Sequence, residues 1–127
     1  MASVLIIEDD TILAKMYQRA FQVEQIPVEL AFDGEEGLQK ALTMKPSIIL
    51  LDVMMPKMSG YQVLDGIRAD EVTKNIPVVV LTNLSSAEDT NLAISKGATQ
   101  VMVKSQSDPF QVVALTKQYL AKTAAVG

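Results

Sequence analysis

The chain is predicted to be an α/β protein. It should form one (βα)5 domain over residues 1–127, with a doubly wound five-stranded parallel sheet in the order 2-1-3-4-5. Three observations predict this. Four apolar runs stop abruptly at a polar side chain: Val4-Leu5-Ile6-Ile7 at Glu8, Ile48-Ile49-Leu50-Leu51 at Asp52, Val78-Val79-Val80-Leu81 at Thr82, and Val101-Met102-Val103 at Lys104. Unbroken runs of this kind are typical of strands buried on both faces of a parallel sheet. Segments of helical periodicity alternate with them from end to end, which argues βαβ units. A fifth run, residues 28–32, carries Glu29 as its second residue and suits a sheet edge.

The elements follow in order. Strand 1 ends at Glu8-Asp9-Asp10, and helix 1 should begin at Asp10 or Thr11. Asp10 is read as its cap in preference to a third metal ligand. Ile12, Leu13, Met16, Tyr17, Ala20 and Phe21 make the helical stripe, and Pro27 follows the end. After strand 2, Asp33 and Glu36 form a capping-box pattern for helix 2, with Leu38, Ala41 and Leu42 inward. After strand 3, Ser59 and Gln62 repeat the pattern for helix 3, with Tyr61, Leu64 and Ile67 inward. Ser85 and Glu88 repeat it for helix 4, which should stop at Gly97. Asp108-Pro109 opens helix 5, with proline at its first position. Met54-Met55 is read as packing and loop geometry.

Composition removes several function classes. With no cysteine there is no disulfide framework and no thiol chemistry; with no histidine there is no His triad, His metal ligand or phosphohistidine. A net charge of -4 argues against nucleic-acid binding by this chain. No run approaches the roughly 18 apolar residues that span a bilayer. No secretory signal is visible, so the expected location is the cytoplasm.

In open α/β sheets, ligands bind beyond the carboxyl ends of the strands, at the point where strand order reverses. Here that edge would gather Glu8, Asp9, Asp52, Thr82 and Lys104. Magnesium is held by one or two carboxylates plus phosphate oxygens, and Asp9 and Asp52, with Glu8 helping directly or through water, would supply them. A carboxylate can also act as nucleophile and form an acyl phosphate; Asp52, central in the set, is the candidate. Lys104 would neutralise phosphoryl oxygens, and Thr82 would donate a hydrogen bond.

These residues carry a family resemblance. Glu8-Asp9, Asp52 within Leu51-Asp52-Val53-Met54-Met55-Pro56, Gly60, Thr82 and Lys104 together resemble the receiver domain of two-component response regulators, over essentially the whole chain. Stand-alone receivers of the chemotaxis-regulator type are the leading comparison. The resemblance implies a flavodoxin-like fold and a phosphoprotein whose Asp52 accepts phosphate from a histidine kinase or phosphotransfer protein. It implies Mg2+ at Glu8, Asp9, Asp52 and the main-chain carbonyl of Met54. It also implies that Thr82 and Lys104 sense the phosphoryl group and shift the face of helix 4, strand 5 and helix 5 toward a downstream effector protein. Such a domain promotes its own phosphorylation and dephosphorylation and is not otherwise an enzyme.

Three positions depart from the family pattern. Asn83 stands where a small residue is usual, Val101 where a switching aromatic is common, and Ser105 where proline follows a cis bond. A cis bond before serine costs about 2.5–4 kcal/mol, so a trans Lys104–Ser105 bond is expected, with a new hydrogen bond from the serine N–H. Rival classes lack their signatures: there is no GxxxxGK[ST] loop, no second acid two residues after Asp52, and no phosphate-cradling loop after strand 1. Two alternatives stay open, a receiver-shaped binding module that is not phosphorylated and a domain excised from a longer regulator or hybrid kinase. Thr99-Gln100 lacks the acids of paired receivers, so a monomer is expected.

Overall fold

The computed structural model describes residues 3–83 and 86–126. Five strands, β1 (Val4–Ile7), β2 (Val28–Ala31), β3 (Ile48–Asp52), β4 (Val78–Thr82) and β5 (Gln100–Val103), alternate with five helices. The helices are α1 (Thr11–Val23), α2 (Gly34–Met44), α3 (Gly60–Ala69), α4 (Ala87–Ser95) and α5 (Pro109–Val126). The strands are all parallel and ordered β2-β1-β3-β4-β5, the predicted arrangement. Strand order reverses between β1 and β3, whose ends pair Ile7 with Leu51 and so bring Glu8 beside Asp52.

Every residue of β1, β3 and β4 is buried, because helices cover both faces of the sheet. One layer packs Leu5, Ile7, Ile49, Leu51, Val78 and Val80 against Val63, Leu64 and Ile67 of α3. The other packs Val4, Ile6, Leu50 and Val79 against Tyr17 and Phe21 of α1 and Val112 and Val113 of α5. Alternate residues of one strand thus feed opposite layers, the period-two geometry of a strand.

The expected stripe of α1 is only partly correct. Tyr17, Ala20 and Phe21 are buried together with Ala14, and Leu13 is partly so, but Ile12 is 74% and Met16 51% exposed. The apolar arc of α1 is wider than the face the sheet covers, and its outer margin meets solvent. In α2 and α3, Ala41, Leu64 and Ile67 are buried, while Leu38, Leu42 and Tyr61 are half-buried.

The caps repay comparison with the sequence. Asp10 accepts from the Leu13 N–H and caps α1. Ser59 and Gln62 make the reciprocal box of α3. At α2, Asp33 accepts from the Glu36 N–H, but the Glu36 carboxylate reaches back to the Phe32 N–H, one residue beyond the cap. The cap of α4 is Ser86, bonded to Asp89; the expected Ser85 lies outside the described residues. Asp108 and Gln111 make a further reciprocal box at the start of α5. Residue 97 follows α4 with φ +108, a conformation that favours glycine.

Candidate functional site

The ends of β1, β3, β4 and β5 build one cavity of about 300 Å³, lined by Glu8, Asp9, Asp10, Asp52, Met54, Asn83 and Lys104. Glu8 and Asp9 follow β1, Asp52 ends β3, and Lys104 follows β5. Glu8, Asp9 and Asp52 each offer a carboxylate oxygen, and these oxygens lie within 4.8 Å of one another. That donor set fits a hard divalent cation such as magnesium, which takes oxygen ligands and shares them with phosphate.

The loop after β3 is fixed by its backbone. Asp52 Oδ1 accepts from the Met54 N–H at 3.1 Å, which holds the carboxylate's rotation. The Gly60 N–H donates to the Val53 carbonyl at 3.1 Å. A Cβ at Gly60 would fall far inside van der Waals contact with the Asp52 carbonyl and Val53 Cα. Glycine therefore lets α3 start against the end of β3, which keeps Asp52 at the mouth of the crevice.

Lys104 crosses the cavity. Its Nζ lies 2.5 Å from Glu8 Oε1 and 3.3 Å from Asp52 Oδ1. Glu8 Oε2 accepts from the Asp10 N–H at 3.2 Å. All three side chains are largely buried, Glu8 to 2% residual exposure, Asp52 to 5% and Lys104 to 13%. Burial raises the Glu8 pKa to about 7; Lys104 opposes that rise and Asp52 adds to it. Burial likewise raises Asp52 against the pull of Lys104. Burial works against the charged Lys104 as well, but the bond to Glu8 and the field of Asp52 keep its pKa above the ordinary lysine value. The site is thus two buried acids sharing one ammonium.

Of the residues expected at the site, Glu8, Asp9, Asp52, Met54 and Lys104 line the cavity. Thr82 is buried at the end of β4, paired in register with Val103, and does not line it. Met54 differs from its reading as packing: its side chain is 64% exposed at the rim, while Met55 packs against the core. No sequence signal separates these adjacent methionines. Asn83 is exposed on the opposite rim. The Lys104–Ser105 bond is trans, since there is no cis peptide among the described residues. Lys104 opens a 3-10 turn, and its carbonyl accepts from the Ser107 N–H at 3.3 Å. The bond that closes this turn is thus donated by the Ser107 N–H and not by the Ser105 N–H that the sequence suggested.

Comparison with known proteins agrees with this geometry. Residues 4–118 match the family profile described as the response regulator receiver domain. The chain is 34% identical over 112 residues to the DNA-binding dual master transcriptional regulator RpaA of Synechocystis, covering 88% of this chain and 45% of that protein. It is 32% identical over 112 residues to the response regulator ArlR of Staphylococcus saprophyticus, covering 88% and 48%. The chain therefore spans about half the length of these relatives. Among solved structures, the chemotaxis response regulator CheY4 of Vibrio cholerae superposes with a TM-score of 0.86 at 30% identity, covering 94% of this chain and 98% of that one. A Francisella response regulator receiver domain gives 0.88 at 26% identity, covering 97% and 99%. No helix among the described residues is long and apolar enough to cross a membrane.

Proposed function

The chain belongs to the response regulator receiver domain family, and on that premise we propose that it is a phosphoacceptor whose Asp52 takes a phosphoryl group with Mg2+ at Glu8, Asp9 and Asp52. The observation that carries this reading is the convergence of three carboxylates and one ammonium, from three strand ends, in a single cavity. From the family likeness, the donor would be a phosphohistidine on a histidine kinase or phosphotransfer protein.

In the transfer, an Asp52 carboxylate oxygen forms a bond to phosphorus as the P–N bond to the donor imidazole breaks. The electron pair leaves with the imidazole, which is neutral once it holds a single proton. Phosphoryl transfer needs positioning and charge neutralisation more than covalent help. The Met54 N–H holds Asp52 in orientation, and Lys104 stands where its ammonium can meet a phosphoryl oxygen. Thr82, at the end of β4, would donate its hydroxyl to another oxygen. Magnesium, held also by the Met54 carbonyl, would offset the charge of the phosphoryl oxygens. Movement of Thr82 and Lys104 then alters the face of α4, β5 and α5 presented to an effector protein in the cytoplasm.

Intact-mass analysis after incubation with acetyl phosphate and magnesium tests this reading. One phosphoryl adduct is expected on the wild type and none on Asp52→Asn, which should keep its fold. An adduct that persists on Asp52→Asn would remove Asp52 from the role; no adduct on the wild type would favour a binding module that keeps the receiver shape.

A further inference from the structure

We propose that Glu36 and Lys40 of α2 form a strap that closes the outer edge of β2 to strand addition, and that the occupant this strap excludes is β2 of a second copy of the chain. Neither residue lines the acid cavity, so the inference stands apart from the phosphoacceptor reading. β2 is an edge strand, paired with β1 on one side only. Its ladder uses alternate residues: the Val4 N–H donates to the Pro27 carbonyl at 3.2 Å and the Glu8 N–H to the Ala31 carbonyl at 2.9 Å. Pro27, Glu29 and Ala31 therefore face β1 with their peptide groups, and Val28, Leu30 and Phe32 turn theirs outward. An edge of this kind is a template for another strand. Here two of the outward groups are taken. Lys40 Nζ donates to the Leu30 carbonyl at 2.6 Å, and Glu36 Oε1 accepts from the Phe32 N–H at 2.7 Å. In a parallel sheet a single residue of the next strand would make those same two bonds. The two side chains lie one helical turn apart and pair with each other at 3.3 Å. Together they stand in for one residue of a sixth strand.

The occupant follows from the pattern of the edge, which is symmetric about Leu30. Two copies of β2 running antiparallel across a two-fold axis would pair Leu30 with Leu30 and Val28 with Phe32. Each outward N–H would then meet an outward carbonyl. Glu29 would lie opposite Ala31 and not another Glu29, so no like charges would face each other directly. Val28 and Phe32 are also of types enriched in strands. The edge is thus self-complementary, and the strap opposes its use. While Lys40 holds the Leu30 carbonyl, the central pair loses its bonds; while Glu36 holds the Phe32 N–H, each flanking pair loses one. Lys40 is tied to β2 itself as well, through Glu29 at 3.0 Å.

The test is sedimentation equilibrium of the whole chain, comparing the wild type, Lys40→Arg and the double variant Glu36→Ala/Lys40→Ala. The double variant should self-associate about tenfold more tightly than the wild type or better, and Lys40→Arg, which keeps the donor, should stay within about twofold of it. Amide exchange at Val28 and Leu30 should slow as the double variant associates, because those N–H groups enter the new pairing. If the double variant does not fold, Lys40→Ala is read in the same way. The wild type gives an independent reading: its Phe32 amide should exchange slowly despite its place at the sheet edge. No gain in association by the folded variants would overturn the strap. So would association that leaves Val28 and Leu30 exchange unchanged, equally strong association by Lys40→Arg, or fast exchange of Phe32 in the wild type.

Discussion

β1 and β3 are buried at every residue and carry Glu8 and Asp52 at their ends, whereas no residue of β5 is fully buried, and α4 beside it buries Ala93 alone among its described residues. The two regions also differ in how they are tied. α3, over the acid edge, sinks Val63, Leu64 and Ile67 into the core. α4 is secured chiefly at its C-terminal end, where the Arg68 guanidinium donates to the Gly97 carbonyl at 2.9 Å and Lys96 pairs with Asp65 at 3.3 Å. The difference teaches a division of labour. Buried acids need a frame that does not yield, because their separation sets their charge state. A region that responds needs a low cost of movement, and shallow burial supplies it.

The largest contrast should appear on truncating one apolar residue in each region. Ile49→Ala, at a fully buried site of β3, should cost about 2–5 kcal/mol by urea denaturation. Leu92→Ala, at a site 42% exposed on α4, should change stability by no more than about 0.5 kcal/mol. Comparable losses would mean that α4 is held as firmly as the sheet.

The second contrast is electrostatic. Burial pushes the Glu8 pKa up to about 7 in the folded chain, against about 4.5 for an unburied glutamate. Between those values the folded state binds more protons than the unfolded one, so stability falls as pH rises through the window. The metal-free chain should lose up to about 3 kcal/mol from Glu8 between pH 4.5 and 8, and the raised Asp52 adds to the same trend. Glu8→Gln should flatten the profile, and excess magnesium should oppose it by favouring the ionised acids. An unchanged slope in Glu8→Gln would place the strain elsewhere.

A smaller effect tests the tether of α4. Arg68 donates to the carbonyls of Gly97, Lys74 and Ile76 and, unusually for a half-buried arginine, has no carboxylate partner among the described residues. Arg68→Met keeps the stem and removes the bonds; a loss of about 2 kcal/mol is expected, with faster amide exchange in the turn around Gly97. Unaltered exchange there would show that α4 is anchored by other contacts.

Most of this was legible in the sequence where one constraint acts alone. The central strands read clearly because burial on both faces admits only apolar residues, and the acids stand out because each follows such a run. Glu8, Asp9, Asp52 and Lys104, read from widely separated segments, therefore do meet around one cavity. Legibility failed where two choices satisfy the same rule. Ile12 and Met16 fit the period of α1 as well as Tyr17 and Phe21 do, and only the width of the covering sheet excludes them. Ser85–Glu88 and Ser86–Asp89 both fit a capping pattern, and the structure uses the second. The turn that begins at Lys104 and the Arg68 tether depend on tertiary contacts that leave no local signature.

The finest test uses two serines with one job. Ser59 accepts from the Gln62 N–H at the start of α3, and Ser86 accepts from the Asp89 N–H at the start of α4. Losing such a cap costs about 1 kcal/mol in either helix. The consequences should differ, because a cap can cost the whole molecule no more than the free energy that holds its helix down. α3 cannot leave the sheet without exposing Val63, Leu64 and Ile67, so Ser59→Ala should register in full in the urea midpoint. α4 has a cheaper escape: its first turns can fray while the rest of the molecule stays native. Ser86→Ala should therefore speed amide exchange in α4 by roughly fivefold, the factor that 1 kcal/mol represents, while costing global stability less than Ser59→Ala does. Equal global losses, with no acceleration confined to α4, would mean that the two helices are held alike and that the shallow burial of α4 carries no mobility.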